Sequence, residues 1–338
     1  MELPRRILIG DGVIDELRNF INDSGIKLHV VVAAGVNVQN KVRERVASVL
    51  DSIKWIDVKS SDVNNVKLVM KESSKTSCIV GLGGGKSVDV AKLAAFRSKL
   101  PFFSVPTSAS HDGISSPFAS IKGTRRHYSF KAKPPTGILA DVGIIADAPQ
   151  KLHAAGCGDL ISKLTAVKDW RLAHEVTGEY YGAYAASLAL MSATVVLEGY
   201  RRIGLYSKEA IRDLVEALIA TGVAAGIAGS SRPCSGAEHL FSHYLDVIAP
   251  GTGLHGEKCG IGTILMAKLH DLEWEKIRRA LKEVHAPTCA SDIGLSDIQV
   301  INALVNAKSI RPDRYTILSK VKMNERQARE LATSTHVI

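Results

Sequence analysis

The chain has 338 residues, of which 46% are hydrophobic and 23% charged, and it carries a net charge of +9. That balance excludes an intrinsically disordered chain, and the length leaves room for two domains, because a single core stops growing at roughly 250–300 residues. Its five cysteines (Cys78, Cys157, Cys234, Cys259 and Cys289) are odd in number and form no Cys-x-x-Cys pair, which argues against a disulfide framework and a thiolate zinc site.

In chain order, short apolar runs at 7–9, 29–34, 54–58, 78–82 and 102–106 predict buried parallel strands. Amphipathic stretches at 12–24, 38–51, 62–74 and 87–98 predict the helices between them. This alternation implies a doubly wound, Rossmann-like α/β domain over residues 1–147. A strand pair at 126–132 and 137–145 is expected to finish it.

From residue 148 strand-like alternation stops. Helical patterns at 161–174, 184–202, 208–224, 237–247 and 274–285 predict an all-α domain over 148–338. The stretch 185–197 is apolar on most sides and is expected near that domain's centre. No apolar run is long and continuous enough for a bilayer, which takes about 20 residues, and the amino terminus lacks a signal-like stretch. The chain therefore reads as cytoplasmic, with no membrane insertion.

The positive charge fits either a nucleic-acid binder or an enzyme handling phosphorylated molecules. Most basic residues alternate with Glu on helix-like segments, aromatic residues make up only 5%, and no nucleic-acid-binding motif is present. Nucleic acid is therefore not expected as a partner. The one tight basic cluster runs from Lys122 to His127 and includes Arg125 and Arg126.

The sharpest local feature is Gly81-Leu82-Gly83-Gly84-Gly85-Lys86-Ser87-Val88-Asp89, directly after a strand and opening a helix. Glycines there admit a diphosphate to the backbone, and the free N–H groups of the helix start favour its charge. A Walker loop would need glycine where Val80 stands, and the dinucleotide fingerprint would need its third glycine at Lys86, so neither motif fits. The alternative is a glycine-rich turn with no ligand.

The helical half holds Gly156-Cys157-Gly158-Asp159, then Glu238-His239-Leu240-Phe241-Ser242-His243, then His255-Gly256-Glu257-Lys258. A carboxylate with two imidazoles suits a divalent metal and leaves coordination positions open. His239 and His243, four apart, share a helix face. Read alone, these residues leave a metal site and ordinary histidines equally open.

Gly-Gly-Gly-Lys-Ser-Val-Asp, followed by Val105-Pro106-Thr107-Ser108-Ala109-Ser110-His111-Asp112-Gly113 and Ser115-Ser116-Pro117, resembles the iron-containing alcohol dehydrogenase, glycerol dehydrogenase and dehydroquinate synthase superfamily. Within it, Gly-Gly-Gly-Lys-Ser-Val-Asp looks like the glycerol-1-phosphate dehydrogenase branch. Further matching pieces run from Thr165 to Ala173 and from Arg311 to Leu318. The resemblance implies an α/β Rossmann-like domain followed by a helical one.

It also implies NAD(H) or NADP(H) held by Gly83, Gly84, Gly85, Lys86, Ser87, Asp89, Thr107, Ser108, Ser110 and Ser116. One zinc per subunit would lie on Asp159, His239 and His255, with Asp112, Asp159 and His243 as catalytic and substrate contacts. The implied reaction reduces dihydroxyacetone phosphate to sn-glycerol 1-phosphate, the backbone of archaeal phospholipids, in a soluble homo-oligomer. The sequence departs from the superfamily at Ala34-Gly35-Val36-Asn37, where a Gly-x-x-Thr element is usual, and Asn37 or Gln39 could substitute. Lys59, Ser60, Ser61 and Asp62 lie where the adenine ribose is expected and permit NADP(H) as well as NAD(H). Lys163, Lys258 and the Arg125–Arg126 pair are unranked candidates for the substrate phosphate. Unphosphorylated glycerol or dihydroxyacetone is the rival substrate.

Overall fold

A computed structural model describes residues 2–26, 29–123 and 127–338, without the side chains of His127 and Tyr128. The chain divides into two compact units, Met1–Ala148 with Ser207–Ile227, and Pro149–Tyr206 with Ala228–Ile338.

The first unit is built on β1 (Arg6–Gly10), β2 (Val30–Ala34), β3 (Ile53–Asp57), β4 (Cys78–Gly83), β5 (Phe102–Pro106) and β8 (Gly137–Asp141). They form one sheet in the order β1-β8-β5-β4-β2-β3, with every pair parallel. Side chains alternate across it, as strand geometry requires. Val30, Val32 and Ala34 enter one core with Leu17, Phe20, Val42 and Val46. Val31 and Ala33 enter the other with Val66, Val69, Val88 and Ala91. Helices α1 (Leu17–Asn22) and α2 (Val36–Val49) thus cover one face, and α3 (Val63–Glu72) and α4 (Gly85–Ser98) the other.

This topology fixes where a ligand belongs. From β2 the chain winds outward to β3, and from β4 it winds the opposite way to β5, so the winding reverses between β2 and β4. In open α/β sheets ligands bind beyond the carboxyl ends of the strands at such a reversal. The turn at Gly83–Gly85 stands there.

The closing strands differ from expectation. Residues 127–131 do not pair with β8; they form β7 (His127–Lys131), antiparallel to β6 (Phe118–Lys122), in a separate hairpin. The expected strand over 137–145 ends at Asp141, because its carboxylate accepts from Ile144 N at 3.2 Å and caps α5 (Val142–Ala146). Asp141 also accepts from Gly12 N and Ile14 N at 3.3 and 3.0 Å, tying that turn to the amino-terminal strand's exit.

The second unit contains α6 (Gln150–Ile161), α7 (Lys163–Thr177) and α8 (Ala183–Ile203). The chain then returns to the first unit as α9 (Lys208–Ala228), so the helical half is not one continuous domain over 148–338. The reason is local: Ser115 Oγ donates to Ile219 O at 2.8 Å, a Cβ on Gly222 would overlap Ser115, and Lys208 pairs with Asp11 at 2.6 Å. The second unit resumes with α10 (Ala237–Ile248), α11 (His255–Leu269) and shorter helices to the carboxyl terminus.

Helix α8 is not at the centre of its unit. Ala185, Ala186, Ala189, Ala193 and Val196 are buried, but Tyr184 is 72% and Met191 67% exposed on the opposite side. Small residues make one face of the helix and larger apolar ones the other, and only the first is covered. By length and composition α8 also meets the requirement for a membrane span, contrary to the sequence expectation of no such run.

Candidate metal and cofactor sites

Gly83 has φ +142°, a conformation L side chains rarely adopt, which explains glycine where the strand turns into α4. Gly84 has extended backbone and precedes the first helical residue, Gly85. The Cβ of an alanine at 84 would sit 3.2 Å from Ser108 Oγ, and one at 85 would overlap the His111 ring. All three glycines thus have local reasons. The case for a diphosphate rests instead on the helix start, which carries no side-chain cap and no acidic residue in its first turn, at the point where the sheet's winding reverses.

The expected cofactor residues divide by what they already touch. Ser87 lies against Gly83, Thr107 N donates to Gly83 O at 3.1 Å, and Ser108 Oγ lies 3.4 Å from Ser110 Oγ, so these surround the turn. Lys86 Nζ reaches Lys59 O at 3.3 Å, joining the turn to the expected ribose edge. Asp89 is different. Its carboxylate is buried and accepts from Lys92 Nζ at 3.1 Å and Ser120 N at 3.0 Å, while Lys92 also donates to Gly113 O and Phe118 O. Asp89 therefore holds the loop after β5 against α4, and does not present itself to a diphosphate. Ser116 Oγ likewise accepts from Phe118 N at 3.2 Å.

At the other candidate contacts, Gln39 Nε2 donates to Ala34 O at 3.0 Å, and Asn37 is exposed. Asp62 caps α3, accepting from Asn65 N at 2.9 Å and from Ser60 Oγ. Asp112 opens the short turn Asp112–Ile114 in the first unit, where its carbonyl accepts from Ser115 N and Ser116 N at 3.2 Å.

In the second unit, close backbone approach brings the metal-ligand candidates together. A Cβ on Gly256 would overlap Ala155 O, one on Gly158 would overlap Gly256 O, and one on Gly260 would lie 3.4 Å from Gly158 Cα. Helices α6 and α11 therefore touch main chain to main chain, with Asp159 on one and His255 on the other. From α10, His239 Nε2 lies 3.6 Å from Asp159 Oδ1, and the rings of His239 and His255 are 5.0 Å apart. The ring of His243 stacks on that of His255 at 5.5 Å. Donor atoms of His239, His255 and Cys259 all lie within 4.8 Å of one another.

The surroundings orient these donors. Glu238 Oε1 is 2.8 Å from His239 Nδ1, leaving Nε2 for the cluster, and Glu238 is itself held by Gly236 N and Thr165 Oγ1 at 2.6 and 2.9 Å. Lys163 Nζ, fully buried, donates to Asp159 Oδ1 at 2.7 Å. Burial opposes ionisation of Asp159, but Lys163, His239 and His255 outweigh it and hold the carboxyl well below its usual range. Burial, then His239 and His243, keeps the His255 imidazolium well below the usual histidine range. For His239 burial also disfavours charge, but Cys259, Asp159 and Glu238 prevail and raise it well above normal. The metal-free cluster thus favours a proton on His239, which a divalent ion would displace.

Comparison with known proteins gives the family. Residues 8–149 match the family model for iron-containing alcohol dehydrogenases. The chain is 50% identical to glycerol-1-phosphate dehydrogenase (NAD(P)+) of Nitrosopumilus maritimus, covering 100% of this chain and 97% of that one. It is 46% identical to the protein of the same name from Pyrococcus horikoshii, covering 100% and 98%. The chain belongs to the glycerol-1-phosphate dehydrogenase family.

Solved structures bear out the fold. A probable glycerol dehydrogenase from Sinorhizobium meliloti superposes with a TM-score of 0.81 at 20% identity, covering 99% of this chain and 97% of that one. Sulfoacetaldehyde reductase from Bifidobacterium kashiwanohense, solved with NAD+, gives 0.77 at 17% identity, covering 98% and 97%.

In the second unit the structure brings Asp159, His239, His243 and His255 together. Cys259 was missed, although its position four after His255 puts both on one face of α11, with Sγ 3.6 Å from His255 Nε2. The scattered cysteines argued against thiolate ligation, yet this one stands at the cluster. Also missed was Asp246, whose carboxylate lies 3.7 Å from His243 Nδ1. Two phosphate candidates are engaged elsewhere: Lys163 with Asp159 and Cys234 O, and Lys258 with Asp246. Arg125 and Arg126 lie outside the described residues.

Proposed function

We propose that this chain reduces dihydroxyacetone phosphate to sn-glycerol 1-phosphate with NADH or NADPH, the step that supplies the archaeal phospholipid backbone. The convergence of Asp159, His239 and His255 in the second unit carries this reading, in a chain half identical to proteins named for that reaction. Gly83, Gly84, Gly85, Lys86, Ser87, Thr107, Ser108 and Ser110 form the cofactor surface, with Asp89 and Ser116 as its scaffold. Asp112 is a substrate contact in this reading.

The donor set fits a divalent ion: a carboxylate, two imidazole nitrogens and a neighbouring sulfur are what zinc accepts. Held by Asp159, His239 and His255, one zinc per subunit would supply Lewis acidity to the substrate's carbonyl oxygen. The reaction adds a hydride to the carbonyl carbon and a proton to its oxygen. In this reading His243, stacked on His255, passes that proton, and Asp246, 3.7 Å from its Nδ1, stabilises the charged ring. Burial lowers the pKa of His243 despite Asp246.

Following NADH and NADPH oxidation tests the reading. Turnover with dihydroxyacetone phosphate, lost on chelation and restored by zinc, is the expected result. Turnover with dihydroxyacetone and none with its phosphate would assign a glycerol dehydrogenase instead.

We also infer a cytoplasmic homo-oligomer with no nucleic-acid or membrane partner. The uncovered face of α8, with Tyr184 and Met191, and the neighbouring Tyr180, 69% exposed, support packing of a second copy there. Sedimentation of the purified chain should give a species larger than 36.3 kDa, and a monomer at micromolar concentration would contradict this.

A further inference from the structure

Three arginines gather in the second unit. Arg232 is buried and grips Glu179 through Nε at 2.7 Å and Nη2, while its Nη1 donates to Tyr315 O at 2.8 Å. Arg314, also buried, donates to Ser235 O at 2.6 Å and Ser231 Oγ at 2.9 Å. Burial, Arg311 and Arg232 together push the Arg314 guanidinium down to about 9. Arg311, the third member, is half-buried and makes no hydrogen bond or ion pair with any described residue.

The segment carrying Arg311 is fixed beside the metal-ligand cluster. Asp169 accepts from Ile317 N and from Ala237 N, both at 2.6 Å, and Arg314 reaches Ser235 O. These bonds stitch residues 311–317 to the start of α10, the helix that bears His239 and His243. The turn Ala307–Ile310, directly before Arg311, packs against α10 as well. The Asp313 carboxylate acts on its charge, but the Arg311 fork is only half-buried and its hydrogen bonds are unused, and a bidentate phosphate is the partner such a fork matches.

We propose that Arg311 binds the phosphate of the substrate and so selects dihydroxyacetone phosphate over dihydroxyacetone. This rests on the function proposed above. Arg232 and Arg314, each already anchored to the protein by hydrogen bonds, would hold the positive field, and Arg311 would supply the contact.

The test compares kcat/KM for the two substrates in wild-type protein, Arg311→Gln and Arg311→Lys, each loaded with zinc. The ratio favouring the phosphorylated substrate should fall at least about a hundredfold in R311Q, the low end for losing two hydrogen bonds to a charged group. R311K, keeping charge without the fork, should fall less. Isothermal calorimetry with inorganic phosphate should show the same order of weakening. An unchanged ratio in R311Q, or an equal loss on both substrates, would overturn the assignment while leaving the enzyme's function intact. Absence of wild-type turnover with dihydroxyacetone phosphate would overturn both. If R311Q does not fold, R311K carries the comparison, and an unchanged ratio and phosphate affinity there would overturn it equally.

Discussion

His255→Ala is expected to leave the purified protein without bound zinc and to lower kcat/KM with dihydroxyacetone phosphate by about a thousandfold or more. Outer-shell partners of a metal already contribute roughly 10–100-fold each, so loss of an inner ligand should exceed that. The variant should still fold. The His255 side chain faces His239, His243 and Cys259, and its ring lies 3.4 Å from Ser242 Oγ, so its removal breaks no buried ion pair. His239→Ala should lose metal too, but with a larger stability cost, because it strips a partner from buried Glu238 and Asp159. Metal analysis with circular dichroism checks both, and H255A retaining metal and near-normal rates would refute the ligand assignment.

Gly256→Ala should destabilise the second unit by about 2–3 kcal/mol and weaken zinc binding with it. The new methyl would overlap Ala155 O, a main-chain atom that cannot rotate away, so α11 must retreat from α6. His255 would then move from Asp159. Gly178→Ala is the control. Gly178 follows α7 at φ +73°, and a methyl added there would meet nothing within 4 Å. That variant should cost about 1 kcal/mol of backbone strain and leave metal affinity unchanged. Denaturant midpoints and zinc titration separate the two variants. Equal stability of G256A and G178A would mean that the contact between these helices does not set the site.

Much of this fold was legible because its central strands are fully buried. Runs such as Val30–Ala34 and Phe102–Pro106 stand out by apolarity alone. The chain's return to the first unit as α9 was not legible, since an amphipathic helix does not announce which surface it will cover. The partner of residues 127–131 was not foreseen, because Phe118–Lys122 is short and half-polar and carries no strand signal of its own. The ligand residues were legible through a family resemblance, whereas helical spacing alone could have offered His239 with His243 and His255 with Cys259.

Asp89 and Lys163 show the limit of that reading. A conspicuous Asp near a glycine turn and a Lys near a metal ligand invite ligand roles, but each finds a buried partner inside the protein. Those partners stand three and four residues away, and contacts distant in sequence, such as Asp89 to Ser120 N and Lys163 to Cys234 O, complete the burial. Arg311 presents the converse: its significance comes from lacking partners that Arg232 and Arg314 have.

The most direct test of the central claim is the configuration of the product formed from dihydroxyacetone phosphate by the zinc-loaded protein. An enantiomer-specific assay after complete oxidation of NADH should find sn-glycerol 1-phosphate. Recovery of the sn-3 enantiomer, or of glycerol from dihydroxyacetone alone, would contradict the function proposed for this site.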